Sequence, residues 1–177
     1  ALEAGEGSGK VVLFGTPAEE QQGGKIELLN RHGFADIDVA MMAHPSPGMS
    51  LYPGMLAREM LQVSYHGVNA HAASNPWQGV NALDATVQGY TNVAMMRQQM
   101  KPSWRVHGVI TDGGTEPNII PAISTSRWYI RAPNMADLAE LHDKVEGCLM
   151  GAGESTGCEV QLEWQGDHKI FDHEEYK

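Results

Sequence analysis

Residues 58–67, REMLQVSYHG, set Met60, Gln62 and Ser64 against Leu61, Val63 and Tyr65. An apolar period of two reads as a strand with one face covered and the other open, the pattern of an antiparallel sheet under a helical layer. VNALDATVQGYTNVAMMRQQM then reads as a helix spaced by Leu83, Val87, Tyr90 and Met95. WRVHGVITDGG and AISTSRWYIRA are strand-like and separated by a loop, and CEVQLEW is a last strand. Between the last two strands, NMADLAELHDKVEGCLMGAG is a helix with Asn134 as its N-cap. The order βαββαβ predicts a split-βαβ, ferredoxin-like α+β domain over residues 58–165.

The first 57 residues read differently. KVVLFG at 10–15 is a short apolar run of buried-strand type. GGKIELLNRHG follows with Ile26, Leu28 and Leu29 on a helical stripe and Gly33 as its stop, and ADIDVAMMAH is a second apolar run. Strand, helix and strand at this spacing predict a parallel βαβ unit with a right-handed crossover, an α/β fragment over residues 1–57. The Pro and Gly of PGMLARE mark the linker to the second domain. In parallel sheets, chemistry collects beyond the carboxyl ends of the strands. Glu19 and Glu20 follow the first such end, and His44 closes the second.

Charge narrows the partners. Twelve Lys and Arg against 22 Asp and Glu give a net charge of -10, the wrong sign for a sequence-independent hold on nucleic acid or an anionic membrane. A cationic small molecule suits it better. Cys148 and Cys158 lack CxxC spacing and read as reduced thiols. No apolar run is long enough for a membrane span, and ALEAGEGSGK has no signal-peptide pattern, so the expected location is cytoplasmic. A start without Met and an end at FDHEEYK read as an internal fragment of a longer chain.

Carboxylate and imidazole are the usual oxygen and nitrogen ligands of zinc, and a free carboxylate beside a zinc-bound water suits amide hydrolysis. Glu19, Glu20 and His44 have those chemistries. The pair of glutamates would equally suit the positive end of the helix that follows. His66 sits in an alternating strand and reads as structural, whereas His71 is flanked by Ala70, Ala72, Ala73 and Ser74, which leave its ring accessible. Asn118 lies between Pro117 and Pro121, and its amide can donate to an oxyanion or carboxylate or merely form the turn. Arg131 offers a planar fork for a carboxylate, or is an ordinary edge-strand arginine.

GTPAEE, MAHP, HGVNAHAASNPWQGVNALDA, PNIIP and the closing IR together resemble the two-zinc metallopeptidase family of aminoacylase, carnosinase and glutamate carboxypeptidase, in its amidohydrolase branch. The resemblance spans nearly the whole chain. It implies zinc-dependent hydrolysis of dipeptides, of the β-alanyl type with a basic C-terminal residue, or of N-acyl amino acids. It also implies Glu19 as general base, Glu20 and His44 (44 − 20 = 24 positions later) as metal ligands, and His71 as a lid histidine reaching a partner's active site. Asn118 and Arg131 would hold the oxyanion or the substrate's carboxylate, and the βαββαβ domain would be the lid through which a homodimer forms. The family's other metal ligands have no counterpart here, and residues 166–177 read as a segment returning toward them. As the chain stands, a non-catalytic lid and dimerisation module is the alternative.

Overall fold

The computed structural model describes residues 9–18, 24–51 and 53–165. Glu19, Glu20 and the return segment 166–177 lie outside the described residues. The chain divides into two compact units, residues 1–50 and 51–177.

In the first unit, helix α1 (Gly24–Asn30) is the one regular element among the described residues. It closes as expected at Gly33, whose amide donates to the Leu28 carbonyl at 2.8 Å. The rings of Phe14 and Phe34 pack with centroids 4.6 Å apart. The expected parallel βαβ is not formed: the described residues of the runs KVVLFG and ADIDVAMMAH make no strand, and Val11, Leu13 and Met41 stand 81%, 95% and 92% exposed. The physical reason is that a strand exists only through hydrogen bonds to a neighbour. Apolar composition marks a segment fit for a sheet without supplying its partner.

The second unit follows the expected element order. Its strands and helices are β1 (Ala57–His66), β2 (Ala70–His71), α2 (Ala82–Met96), β3 (Arg105–Asp112), β4 (Ile119–Ile120), β5 (Ile123–Ala132), α3 (Met135–Thr156) and β6 (Glu159–Gln165). Four of them form one antiparallel sheet in the order β3-β5-β1-β6, and β2 with β4 forms a small second sheet. Both β3 and β6 are therefore edge strands. Along β1 the residues Ala57, Leu61, Val63 and Tyr65 are buried beneath the helices. Arg58, Met60, Gln62 and Ser64 take the open face.

The core is Leu61, Val63, Tyr65, Trp128 and Ile130 from the sheet against Val93, Leu138, Leu141, Val145 and Leu149 from the helices. α3 begins at the predicted cap, with Asn134 Oδ1 accepting from the Asp137 amide at 2.8 Å. α2 departs from expectation. Its buried side is Ala82, Ala85, Thr86, Gly89 and Val93, while Val87, Tyr90 and Met95 of the apolar stripe are 49%, 39% and 63% exposed. Small residues let α2 approach closely: a Cβ on Gly89 would lie 2.6 Å from Tyr65 Oη. That hydroxyl donates to the Leu149 carbonyl at 2.9 Å, and burial pushes the phenol well above its usual pKa.

Candidate functional site

His71 and Asn118 meet at one end of the second unit. His71 pairs with Ile119 across β2 and β4, and the Ala72 amide donates to the Asn118 carbonyl at 2.9 Å. Asn69 Nδ2 donates to the Ile120 carbonyl at 2.9 Å, fastening the same two segments. The His71 ring is held by its own turn: its Nδ1 accepts from the amides of Ala73 and Ser74, each at 3.2 Å. Since Nδ1 accepts, a neutral ring carries its proton on Nε2 and presents a donor outward. Beside the pair lies an open cleft of about 390 Å³, lined in part by Ala72, Asn81, Gly113, Glu116 and Pro117. Gly114 turns the chain there at φ +102°, a conformation that L side chains rarely adopt, and its amide donates to Asp112 Oδ1 at 3.0 Å.

Arg131 is elsewhere. It lies on the open face of β5 near its end, while His71 and Asn118 lie beyond its beginning at Ile123. The eight residues between 123 and 131 span about 26 Å of strand at about 3.3 Å each. Laterally, Arg131 pairs with Arg58 of β1 on one side and Arg105 of β3 on the other. None of the ion pairs among the described residues involves these arginines. The Arg58 guanidinium lies 5.5 Å from the centre of the Tyr129 ring, and Arg105 Nη1 donates to the carbonyls of Pro102 and Trp104 at 2.5 and 2.6 Å. Burial, and then the positive charge of Arg131, hold the His107 imidazole below its ordinary pKa. Sequence reading missed Arg58 and Arg105, because cross-strand register leaves no local signal.

His66 ends β1 opposite Ile123, in keeping with a structural role. His44 is exposed, and its Nδ1 lies 2.9 Å from the Pro45 carbonyl. A carbonyl can only accept, so the proton sits on Nδ1 and the Nε2 lone pair is left available. That is the usual state of a metal-binding imidazole. Among the described residues there is no group of three or more His, Cys, Asp or Glu placed to hold a metal ion. The structure therefore brings no such set of metal-ligating side chains to His44 among the described residues, and Glu20 lies outside them.

Among the described residues, no helix is long and apolar enough to cross a membrane. Residues 60–156 match the family model described as Peptidase dimerisation domain. The chain is 51% identical over 154 residues to the Xaa-Arg dipeptidase of Mus musculus, covering 87% of this chain and 36% of that protein. It is 33% identical over 155 residues to a p-aminobenzoyl-glutamate hydrolase polypeptide of Escherichia coli (strain K12), covering 86% of this chain and 32% of the other. The chain spans about a third of the length of the curated relatives it matches. Its fold is similar to the crystal structure of a hydantoinase/carbamoylase family amidase from Burkholderia ambifaria, with TM-score 0.59 and 18% identity over 64% of this chain and 28% of that one.

Proposed function

The chain belongs to the peptidase family whose dimerisation domain it matches over residues 60–156, and from that premise we propose that it serves zinc-dependent amide hydrolysis in a cytoplasmic homodimeric dipeptidase. In this reading residues 1–57 belong to the catalytic domain, 58–165 form a ferredoxin-like lid and dimerisation domain, and 166–177 return to the catalytic domain. The strand order β3-β5-β1-β6 with both long helices on one face supports the ferredoxin-like assignment.

The single observation that carries the reading is the separation of Arg131 from His71 and Asn118. A dipeptide spans only about 7 Å when extended, so it cannot touch both ends of one sheet about 26 Å long. In a dimer joined through β3, antiparallel pairing sets the Arg131 end of one sheet against the His71 and Asn118 end of the other. Each site then takes the arginine from one subunit and the histidine and asparagine from its partner. Val109 and Ile110 on β3 are exposed, as are Val87 and Tyr90 on α2, and these apolar side chains give the second copy something to bury.

The roles follow from the chemistry of each group. Arg131 receives the substrate's terminal carboxylate in its planar fork. His71, with its proton on Nε2, and the Asn118 amide donate to the oxygen that becomes negative as the amide is attacked. Glu19 takes a proton from the attacking water and returns it to the departing amine. Glu20 and His44 would be among the ligands that hold zinc, which when bound would lower the pKa of a coordinated water toward neutrality.

The substrate is a dipeptide with a basic C-terminal residue, β-alanyl-lysine being the test case. The mouse relative's being an Xaa-Arg dipeptidase and the chain's net charge of -10 both favour a cationic side chain. The aminobenzoyl-glutamate relative favours a second reading, hydrolysis of N-acyl amino acids. The experiment is turnover by the intact protein that carries this chain, on β-alanyl-lysine, β-alanyl-arginine and hippurate, before and after chelation. Basic dipeptides should be preferred by at least about tenfold in kcat/KM, with activity lost on chelation and restored by zinc. Faster cleavage of hippurate would transfer the assignment to the second reading, and no turnover of any of them would leave the non-catalytic module.

A further inference from the structure

The open edge of the sheet carries opposite charges at its two ends. β3 begins at Arg105 and ends at Asp112, both exposed. Arg105 pairs with Arg131, and Asp112, after an irregularity at Ile110/Asp112, pairs with Thr125; both of those β5 partners belong to the face turned away from the helices. The Arg105 end is extended sideways by Arg131 and Arg58, and the Asp112 end is followed by the exposed Glu116. A second copy of the same strand, run antiparallel, is the electrostatic complement of this edge. A parallel copy would set like charge against like, which opposes that pairing.

Resting on the dimer reading above, we propose that Arg105 of each subunit pairs with Asp112 of the partner subunit, and that this pair fixes the direction and register of the joined sheet. Both groups have capacity to spare. Arg105 uses Nη1 on the carbonyls of Pro102 and Trp104, which leaves donors on Nε and Nη2. Asp112 accepts from Gly114 on Oδ1, which leaves Oδ2. The two-fold axis makes the contact twice. A one-residue slip would turn the open face of one copy toward the helical face of the other, so register is what an edge of this kind has to specify.

Sedimentation equilibrium of the full chain at low and at moderate salt tests the proposal. The unaltered chain dimerises, and Asp112→Asn, which keeps an acceptor for Gly114 but removes the charge, weakens the dimer about threefold to tenfold and flattens its salt dependence. Arg105→Asp weakens it by more than about tenfold, and the exchange Arg105→Asp with Asp112→Arg recovers to within about threefold. That recovery also excludes misfolding of the single variants. If the unaltered chain dimerises but neither single change weakens it, or the exchange does not recover, the ion pair is overturned and the dimer stands. A monomeric unaltered chain would overturn both.

Discussion

The Ala72 amide and the Asn118 carbonyl are joined by a 2.9 Å hydrogen bond, which with the pairing of β2 and β4 and the Asn69–Ile120 bond holds the loop of His71 against the hairpin of Asn118. The pair is a unit at one end of the sheet and Arg131 belongs to the other. If each site is built from both subunits, His71→Ala and Arg131→Ala intact proteins, each nearly inactive alone, should complement when unfolded together and refolded. Each mixed dimer then holds one site with both residues present, so random mixing restores about a quarter of the wild-type rate. Mixtures no more active than their components would place both residues in the same subunit's site.

The Asn118 side chain can be tested without disturbing that contact, because the hydrogen bond uses its backbone carbonyl. Asn118→Ala in the intact protein should lower kcat by about 10²–10³, the usual effect of removing one oxyanion donor, with little change in melting temperature. A rise in KM with kcat preserved would instead assign the amide to ground-state binding of the substrate.

Gly89 sets how closely α2 approaches the rest of the core. A methyl group there would lie 2.6 Å from Tyr65 Oη and 3.1 Å from Leu149 Cδ2. Gly89→Ala should destabilise by about 1–3 kcal/mol, seen as a lower midpoint in urea. In a Tyr65→Phe background the nearest clashing atom is gone, so the same change should cost less. Equal costs in the two backgrounds would show that the hydroxyl is not what limits the approach.

How much of this was readable in the chain differs from element to element. The period of two in residues 60–65 suffices for β1, because a half-covered strand prints its burial on alternate residues. Asn134 marks the start of α3 because a cap is a local bond. The stripe of Val87, Tyr90 and Met95 misleads, since a large apolar residue turned outward has the same letter as one turned inward, and the helix packs through Ala85 and Gly89 instead. The runs KVVLFG and ADIDVAMMAH satisfy the local requirement for a strand and lack the non-local one, a partner. The alignment of Arg58, Arg131 and Arg105 depends on pairing between distant segments, which no window of sequence contains. Among the proposed site residues, His71 and Asn118 are legible as small-residue and proline-framed turns, but their distance from Arg131 is not.

The outward stripe of α2 leads to its own prediction. Val87 is 49% exposed and lies on the side of α2 opposite its buried residues. Val87→Glu should therefore leave the stability of the single chain within about 0.5 kcal/mol while raising the dimer dissociation constant at least about tenfold. Sedimentation and thermal melts read the two effects separately. An unchanged dissociation constant would remove α2 from the interface.

His107 gives the edge of the sheet a pH dependence whose sign can be worked out. Burial, and then Arg131, depress its pKa below the ordinary value of 6.5. In the range between the folded pKa and 6.5 the unfolded chain binds a proton that the folded chain refuses, so stability falls as pH falls through that range and is unaffected well above it. Melting temperature should therefore drop between about pH 7.5 and 5.5, and His107→Gln, which cannot be protonated, should lessen the drop. Arg131→Gln should also lessen it, though by less, because it removes the second cause and leaves the first. Melting curves of the three proteins across that range decide the matter: parallel profiles would show that His107 is not the group that titrates.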